Sequence, residues 1–367
     1  MHKNVRQMLI YSALYGAATG VAIFGVLDAY LFIEARESNK AVGWAESVSG
    51  LTQVLVAFPA GYLVDKVARS RVLIYCALFS FIYVITFVVG VVVDDISIIY
   101  LGLILQGIYS AISNTATYSL YSDSVSCGEE RTQALSRVAI VTQVSMASGP
   151  LVAVILFRFI GDVWSLDILR GVLICGLLLM LPANLFLFGW ADPHPTEKQT
   201  TAEGGSEDGR DKRISSVVPY MVCINDVITC VGAGMTVKFF PLFFKNDYSL
   251  SPVQVQLLFA GYLCSLGVFT FLCERVSRVI GRVQASLIFS LAGTACLFLL
   301  AKIQNLPIVI LVFVLRGAFQ NAIYPIDRSI IMDAVPSDQR GRWNAFESIA
   351  NMTWSGSAVL GGYLIQS

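Results

Sequence analysis

The chain is a succession of long apolar runs separated by short polar segments. A helix needs about 20 apolar residues to cross the hydrocarbon core of a bilayer, and eleven runs reach that length. They extend over roughly 8–33, 42–64, 72–93, 97–121, 134–158, 168–190, 216–243, 252–273, 283–303, 306–331 and 343–366. The runs lack the two-residue alternation of membrane-spanning strands. The pattern therefore predicts an all-α membrane protein with eleven transmembrane helices.

The composition agrees with a bilayer rather than water as the solvent. Of the 367 residues, 56% are hydrophobic and 14% are charged, whereas soluble domains carry about 25% charged residues. The net charge is zero, which gives no reason to expect a nucleic-acid partner. The eight cysteines form no CxxC pair, and His2 and His194 are far apart in the chain. We therefore expect no metal site and no cofactor.

The distribution of basic residues predicts the orientation, because Lys and Arg concentrate in the cytoplasmic loops of membrane proteins. With the N-terminus in the cytoplasm, sixteen of them fall on the cytoplasmic side of the predicted helices and six on the other side. The one long polar segment, 191–214, is rich in Thr, Glu, Gly, Asp, Lys and Arg. It is expected to be a flexible linker on the cytoplasmic side.

Similar segments recur on the two sides of this linker at a nearly constant spacing. The spacing is 209 residues after the second span, 210 in the fourth span and 211 after the fourth span. The segments, paired in order, are Asp65–Arg69 with Glu274–Arg278, Leu105–Asp123 with Leu315–Asp333, and Arg131–Ala134 with Arg342–Ala345. The repeat predicts an N-terminal six-helix bundle over 1–190 and a C-terminal five-helix bundle over 215–367.

The repeat leaves one span without a counterpart. The sixth span, 168–190, predicts a partner near 378–400, and this sequence ends at residue 367. We expect that this twelfth helix is absent from the sequence rather than lost from the protein. An unpaired sixth span and an uncovered eleventh span are otherwise hard to explain.

The segment after the second span carries a family resemblance. Gly61–Arg71, with the sequence GYLVDKVARSR, resembles the signature loop between spans 2 and 3 of the major facilitator superfamily. Glu274–Arg278 resembles the degenerate second copy of that loop, and Gly149-Pro150 resembles part of the family's antiporter motif. The resemblance implies two six-helix bundles around a central cavity. It also implies alternating access, in which the cavity opens to one side of the membrane at a time.

Four positions depart from the family's patterns. Ala68 stands where the loop motif usually has glycine, and Ser145 and Ala153 stand where glycines flank Gly149-Pro150. Leu103 occupies the position of the arginine of the fourth span. The last departure weakens the case for proton-coupled drug export in particular.

Charged residues in the loop motifs form a candidate cytoplasmic latch between the bundles. A carboxylate there can pair with a helix N-terminus or with an arginine of a neighbouring helix, and the basic residues can contact lipid phosphates. The candidate latch comprises Gly61, Asp65, Lys66, Arg69, Arg71, Glu274, Arg275 and Arg278, with Asp123, Arg131, Asp333 and Arg340 in the matching loops. The alternative is that these residues only set the orientation.

Charged residues inside the predicted spans mark a candidate substrate cavity, because a charge at a helix centre costs about 2.5–3.5 kcal/mol and usually faces protein or water. The resemblance implies that spans 1, 4, 7 and 10 line the cavity. The candidate residues are Arg316, Asp226, Gln106, Asn114, Asn225, Gln320, Asn321 and Tyr324. Arg316 favours an anionic substrate group, since a buried cation requires a counter-charge. The alternatives are a structural ion pair for Arg316 and helix-to-helix hydrogen bonds for the others.

Asp28 and Lys238 form a candidate outer gate. The spacing of 210 places them at equivalent points of the repeat, each in the outer part of its span. Since spans 1 and 7 are expected to face each other across the central axis, the two residues are predicted to form an ion pair that closes the outer side. The alternative is that each side chain extends separately to the lipid headgroups.

We predict a secondary active transporter that moves a small solute across a membrane by alternating access, with H⁺ as the candidate coupling ion. The protein is expected to be a monomeric, multi-pass membrane protein with a cytoplasmic N-terminus, and not an enzyme. The sequence shows no P-loop, HExxH, GxSxG or GxGxxG motif. A transporter-like receptor or scaffold remains open as an alternative, and a membrane-embedded enzyme is less favoured. Uptake and efflux both remain open.

Overall fold

A computed structural model describes residues 3–125, 129–192, 218–327, 330 and 340–366, and no strand occurs among them. Most of the predicted linker, from residue 193 onward, lies outside this described part. The helices are α1 (Lys3–Ile23), α2 (Val26–Glu34), α3 (Asn39–Lys66), α4 (Arg69–Val93), α5 (Ile96–Asp123), α6 (Glu129–Ile160), α7 (Leu166–Leu185), α8 (Val218–Thr236), α9 (Phe240–Tyr248), α10 (Pro252–Ile280), α11 (Arg282–Leu300), α12 (Leu306–Ala322) and α13 (Arg340–Gln366).

Ten helical segments of the described structure are long and apolar enough to cross a membrane. They coincide with the first ten predicted spans. The eleventh predicted span forms α13, whose 27 residues extend over about 40 Å at the helical rise per residue. It is richer in Gly, Ser, Thr and Asn than the other spans, and it is not among the ten. The chain is thus an all-α, multi-pass membrane protein.

The helices form two related halves, α1–α7 and α8–α13. In the first half, α1 packs against α6, α3 against α5, and α4 against α5. In the second half, α8 packs against α13, α10 against α12, and α11 against α12. These are the same pairs when span 1 is matched with span 7 and each later span with its counterpart. The two halves also meet through equivalent pairs, α3 with α13 and α6 with α10.

Small residues allow α3 and α13 to approach closely. Gly43, Ser47 and Gly50 follow one another at helical spacing along one face of α3. A Cβ atom on Gly43 would contact the Ala358 carbonyl, and one on Gly50 would contact the Ser355 side chain. The Ser47 hydroxyl donates a hydrogen bond of 2.6 Å to the Ser355 carbonyl. This stripe fixes how α3 is rotated against the second half.

Helix α7 accounts for a difference in burial between the halves. It packs against α1, α2 and α4, and 72% of the most apolar window of span 1 is buried. The corresponding window of span 7 is 28% buried. Apolar side chains of α8 and α11 such as Ile228, Leu291 and Phe298 are exposed. These faces are suited to contact with hydrocarbon.

Candidate functional site

The first and the seventh spans are each interrupted at nearly the same point of the repeat. Gly25, with a left-handed φ of 76°, separates α1 from α2. A 3₁₀ turn, Val237–Phe239, separates α8 from α9, and Pro241 lies in the first turn of α9. An interruption frees backbone carbonyl and amide groups, which must find other partners inside a membrane. Interrupted helices of this kind often lie at the binding sites of transporters.

The two interruptions lie against each other across the interface between the halves. A Cβ atom on Gly25 would lie 3.3 Å from Cγ of Pro241, and α2 packs against α9. Gln256 of α10 donates a hydrogen bond of 2.9 Å from Nε2 to the carbonyl of Phe24. A side chain of the second half thereby provides a donor to a carbonyl group at the interruption in the first half.

Three charged side chains, Asp28, Glu46 and Lys238, form a charged cluster beside the interruptions. Lys238 lies in the 3₁₀ turn, and its Nζ makes a salt bridge of 2.9 Å with Oε2 of Glu46 on α3. Asp28 interacts electrostatically with both of them. The Lys238 ammonium also lies 5.7 Å from the ring centroid of Trp354 on α13. The residues are mostly buried, with 7% of Asp28 exposed. Two carboxylates therefore share one ammonium group at the interface.

The structure brings the predicted gate residues Asp28 and Lys238 into one cluster, but among the described residues the salt bridge of Lys238 is with Glu46. Sequence reasoning missed Glu46, although two signals pointed to it. It is a carboxylate inside the predicted span 42–64. With the spacing of 210, its equivalent position in the second half is the polar residue Gln256. Each of these two residues reaches from its own half to the interruption in the other half.

Among the residues that the structure describes, contacts between the halves concentrate at one end of the molecule, which we call the closed end. It comprises the loops 35–38, 161–165 and 249–251. There, Nε1 of Trp164 donates to the Leu250 carbonyl at 2.7 Å, and the Val253 amide donates to Asp162 at 2.9 Å. At the opposite end, the hydrogen bonds of Asn4 with Ser124 and with the Ala191 carbonyl stay within the first half.

Arg316 lies in the interior of the second half. The residue is 3% exposed, and its guanidinium carbon lies 5.7 Å from the ring centroid of Phe240. Tyr262 of α10 is its electrostatic neighbour. The Tyr262 hydroxyl accepts a hydrogen bond of 3.4 Å from Asn321. Two predicted cavity residues, Arg316 and Asn321, thus meet around a tyrosine that the sequence analysis did not select.

The other predicted cavity residues have different environments. Gln106 is buried in α5, whereas Asn114 on the same helix is exposed. Asn225, Asp226 and Gln320 are half-buried, and Tyr324 is exposed. In the described part of the chain, Gln106, Asn114, Asn225 and Gln320 make no side-chain hydrogen bond with Arg316. Their roles in binding stay predictions.

The candidate latch is partly described. Lys66 and Arg71 are exposed, Arg69 is half-buried, and a Cβ atom on Gly61 would meet nothing within 4 Å. Glu274 and Arg278 form an exposed salt bridge of 2.5 Å within α10, and Arg275 lies 5.0 Å from the ring centroid of Phe271. The side chains of Asp65, Asp123, Arg131, Asp333 and Arg340 lie outside the described part of the structure. The latch between the halves therefore stays a prediction.

Known proteins with a similar sequence or a similar fold match this chain over nearly its whole length. The chain is 20% identical to multidrug resistance protein 1 of Bacillus subtilis (strain 168) over 367 residues, which cover 99% of this chain and 90% of the relative. Among solved structures, a bacterial homologue of the human lysosomal transporter Spinster, inward-facing and occupied, superposes with a TM-score of 0.74 and 14% identity over 98% of this chain and 80% of its own.

A second solved structure, a bacterial homologue of the iron transporter ferroportin in an inward-facing state, superposes with a TM-score of 0.73 and 14% identity, and covers 98% of this chain and 90% of its own. Likenesses at this level of identity show the fold. The family described as the Major Facilitator Superfamily matches residues 8–231 and 222–367. Those two matches span nearly the whole sequence, and the chain therefore belongs to the major facilitator superfamily of membrane transporters.

Proposed function

We propose that this protein is a secondary active transporter that moves a small solute across the membrane by alternating access, coupled to protons. The observation that carries the proposal is the charged cluster. Lys238 of the second half is held by Glu46 of the first half, with Asp28 beside them. To open the closed end, the protein must separate this pair. The two carboxylates and one ammonium group of the charged cluster can control this separation through the binding of protons.

Proton binding can weaken this contact without leaving the ammonium group unpaired. With all three groups ionised, the cluster carries one net negative charge. A proton bound to the cluster removes one of the two carboxylate charges beside Lys238, and the other carboxylate remains as its counter-charge. Opening then hydrates the charged groups, and their hydration offsets the lost Coulomb attraction. Proton binding and opening of the closed end are thereby linked.

The orientation that we propose places the closed end outside the cytoplasm. Sixteen of the Lys and Arg residues fall on the side of the N-terminus and six on the side of the closed end, and the larger number marks the cytoplasmic side. The structure would then be inward-facing, the state that both solved relatives are stated to occupy. The similarity to a multidrug resistance protein makes efflux worth testing together with uptake.

The test uses proteoliposomes that contain the full chain and a pH-sensitive dye. Uptake and efflux of a panel of metabolites would be measured with and without an imposed proton gradient. We expect solute flux that depends on the gradient and is lost in Lys238→Met. Lys302→Met makes the same chemical change at an exposed loop position and should retain the flux. If Lys238→Met and collapse of the gradient both leave the flux unchanged, the proposed coupling is wrong.

A further inference from the structure

Arg316 is a buried charged residue whose guanidinium group has no acceptor in the described structure. Its Nε atom is buried and makes no hydrogen bond there, and no salt bridge between described residues includes it. Its electrostatic neighbour is the neutral Tyr262 rather than a carboxylate. An ionised group that is buried without a counter-charge is strongly unfavourable. A counter-charge from outside the chain would relieve that cost.

The surroundings of Arg316 are aromatic. Phe240 lies beside the guanidinium group and packs on Phe313, with 4.5 Å between ring centroids. Tyr262 is stacked on Phe313 at 5.3 Å, and Phe259 lies 5.9 Å from the same ring. We call these four residues, Phe240, Phe259, Tyr262 and Phe313, the aromatic wall. A planar apolar group could pack favourably against such rings.

The position of Phe240 connects this site to the interface between the halves. Phe240 is the first residue of α9 and directly follows the 3₁₀ turn that holds Lys238. On the other side of the aromatic wall, Phe259 lies 6.1 Å from the ring of Phe24, beside the interruption in the first half. A rearrangement of the two interruptions would therefore move Phe240 relative to the guanidinium group.

We propose that Arg316 and the aromatic wall form the binding site for an organic anion with a planar apolar body, and that this is the substrate class of the transporter. The guanidinium group would bind a carboxylate of the ligand through paired hydrogen bonds, and the aromatic wall would contact its apolar body. Movement of Phe240 with the adjacent interruption opens the access to Arg316. The assignment of this anion as the substrate rests on the proposed transport function. Binding of the anion at Arg316 can be tested without transport.

The test compares three probes of similar shape and different charge on the full chain in lipid nanodiscs. Benzoate is an anion, benzamide is neutral and benzamidine is a cation. We expect benzoate to bind and to raise the melting temperature, and the other two to bind at least about tenfold more weakly, the difference that a charge-assisted pair of hydrogen bonds provides. Arg316→Gln should remove the preference for benzoate, and Arg316→Lys should retain part of it because the charge remains.

The matched control is Arg158→Gln, which makes the same change at an exposed arginine and should leave benzoate binding unchanged. Equal binding of benzoate and benzamide to the wild-type protein would overturn the proposal, and that result does not depend on whether any variant folds. Equal stabilisation by sulfate and benzoate would also overturn it, since the aromatic wall would then contribute nothing. Benzoate binding that is unaffected in both Arg316 variants would place the anion elsewhere.

Binding and transport can fail separately. If benzoate binds through Arg316 but no anion of the panel is transported and Lys238→Met changes nothing, the anion site is supported and the transport proposal fails. If gradient-dependent flux of a neutral or cationic solute requires Lys238 while benzoate does not bind, the transporter is supported and the anion site is wrong.

Discussion

Lys238 and Arg316 are both buried cations of the second half, and they differ in what surrounds them. Lys238 makes a salt bridge with Glu46 and has Asp28 nearby, whereas Arg316 has aromatic rings and no carboxylate beside it in the described structure. The protein thus satisfies one charge with its own residues from the opposite half. In our proposals the other charge is left for a ligand, and the difference separates a residue that holds the two halves together from one that binds a solute.

The largest effect is expected from Lys238→Met. This change leaves two neighbouring carboxylates without their ammonium partner in a partly buried position, and breaking a buried pair costs about 3–5 kcal/mol. We expect a markedly lower melting temperature in detergent, measured by intrinsic fluorescence. Lys302→Met should stay within about 0.5 kcal/mol of the wild type, as exposed substitutions do. Equal melting of Lys238→Met and Lys302→Met would show that the charged cluster contributes no stability.

The same chemical change at the other cation should have the opposite sign. Without ligand, Arg316→Met replaces an unpaired buried charge by an apolar side chain of similar length, and a gain of about 1–3 kcal/mol or more is expected, because that is the cost of a buried unsatisfied polar group. The variant should therefore melt at a higher temperature than the wild type, and benzoate should no longer stabilise it. A lower melting temperature without benzoate would indicate that Arg316 has a structural partner. Arg158→Met serves as the control.

The two carboxylates of the charged cluster should respond differently to neutralisation. Glu46→Gln removes the direct partner of Lys238 and should favour opening of the closed end. Asp28→Asn keeps the salt bridge, so the end should stay closed while the dependence of flux on the proton gradient weakens. Spin labels on cysteines introduced at 39 and 366, where the Asn39 amide contacts the Gln366 side chain, would report the distance in a background without the native cysteines. Identical distance distributions for Glu46→Gln and Asp28→Asn would remove the distinction between the two.

The smallest effect is expected from Trp354→Leu. It removes the ring above the Lys238 ammonium but leaves the salt bridge with Glu46 in place. A cation–π contact contributes about 0.5–2 kcal/mol, depending on burial. We expect a small decrease in melting temperature relative to the wild type. A decrease as large as that of Lys238→Met would mean that packing of α13, and not charge, holds the closed end.

The sequence predicted the elements of the site better than the contacts among them. The apolar runs located the spans, and the spacing of 210 placed Asp28 and Lys238 at equivalent points. The same spacing relates Glu46 to Gln256, but these residues lie in spans 2 and 8, whereas the outer gate was predicted from the symmetry of spans 1 and 7. The interruptions at Gly25 and Val237–Phe239 were not predicted, because the runs 8–33 and 216–243 are each apolar enough over their length to be assigned as a single span.

The sequence alone determined that the chain spans a membrane and repeats itself, because both follow from local properties. The length and apolarity of each run suffice to satisfy the backbone inside hydrocarbon. Which charges meet depends instead on the rotation and distance of helices that are far apart in sequence. The approach of Gly43, Ser47 and Gly50 of α3 to α13 sets that rotation for Glu46, so that it reaches Lys238. Only the tertiary structure therefore decided that Lys238 has a carboxylate partner and that Arg316, in the described structure, has none.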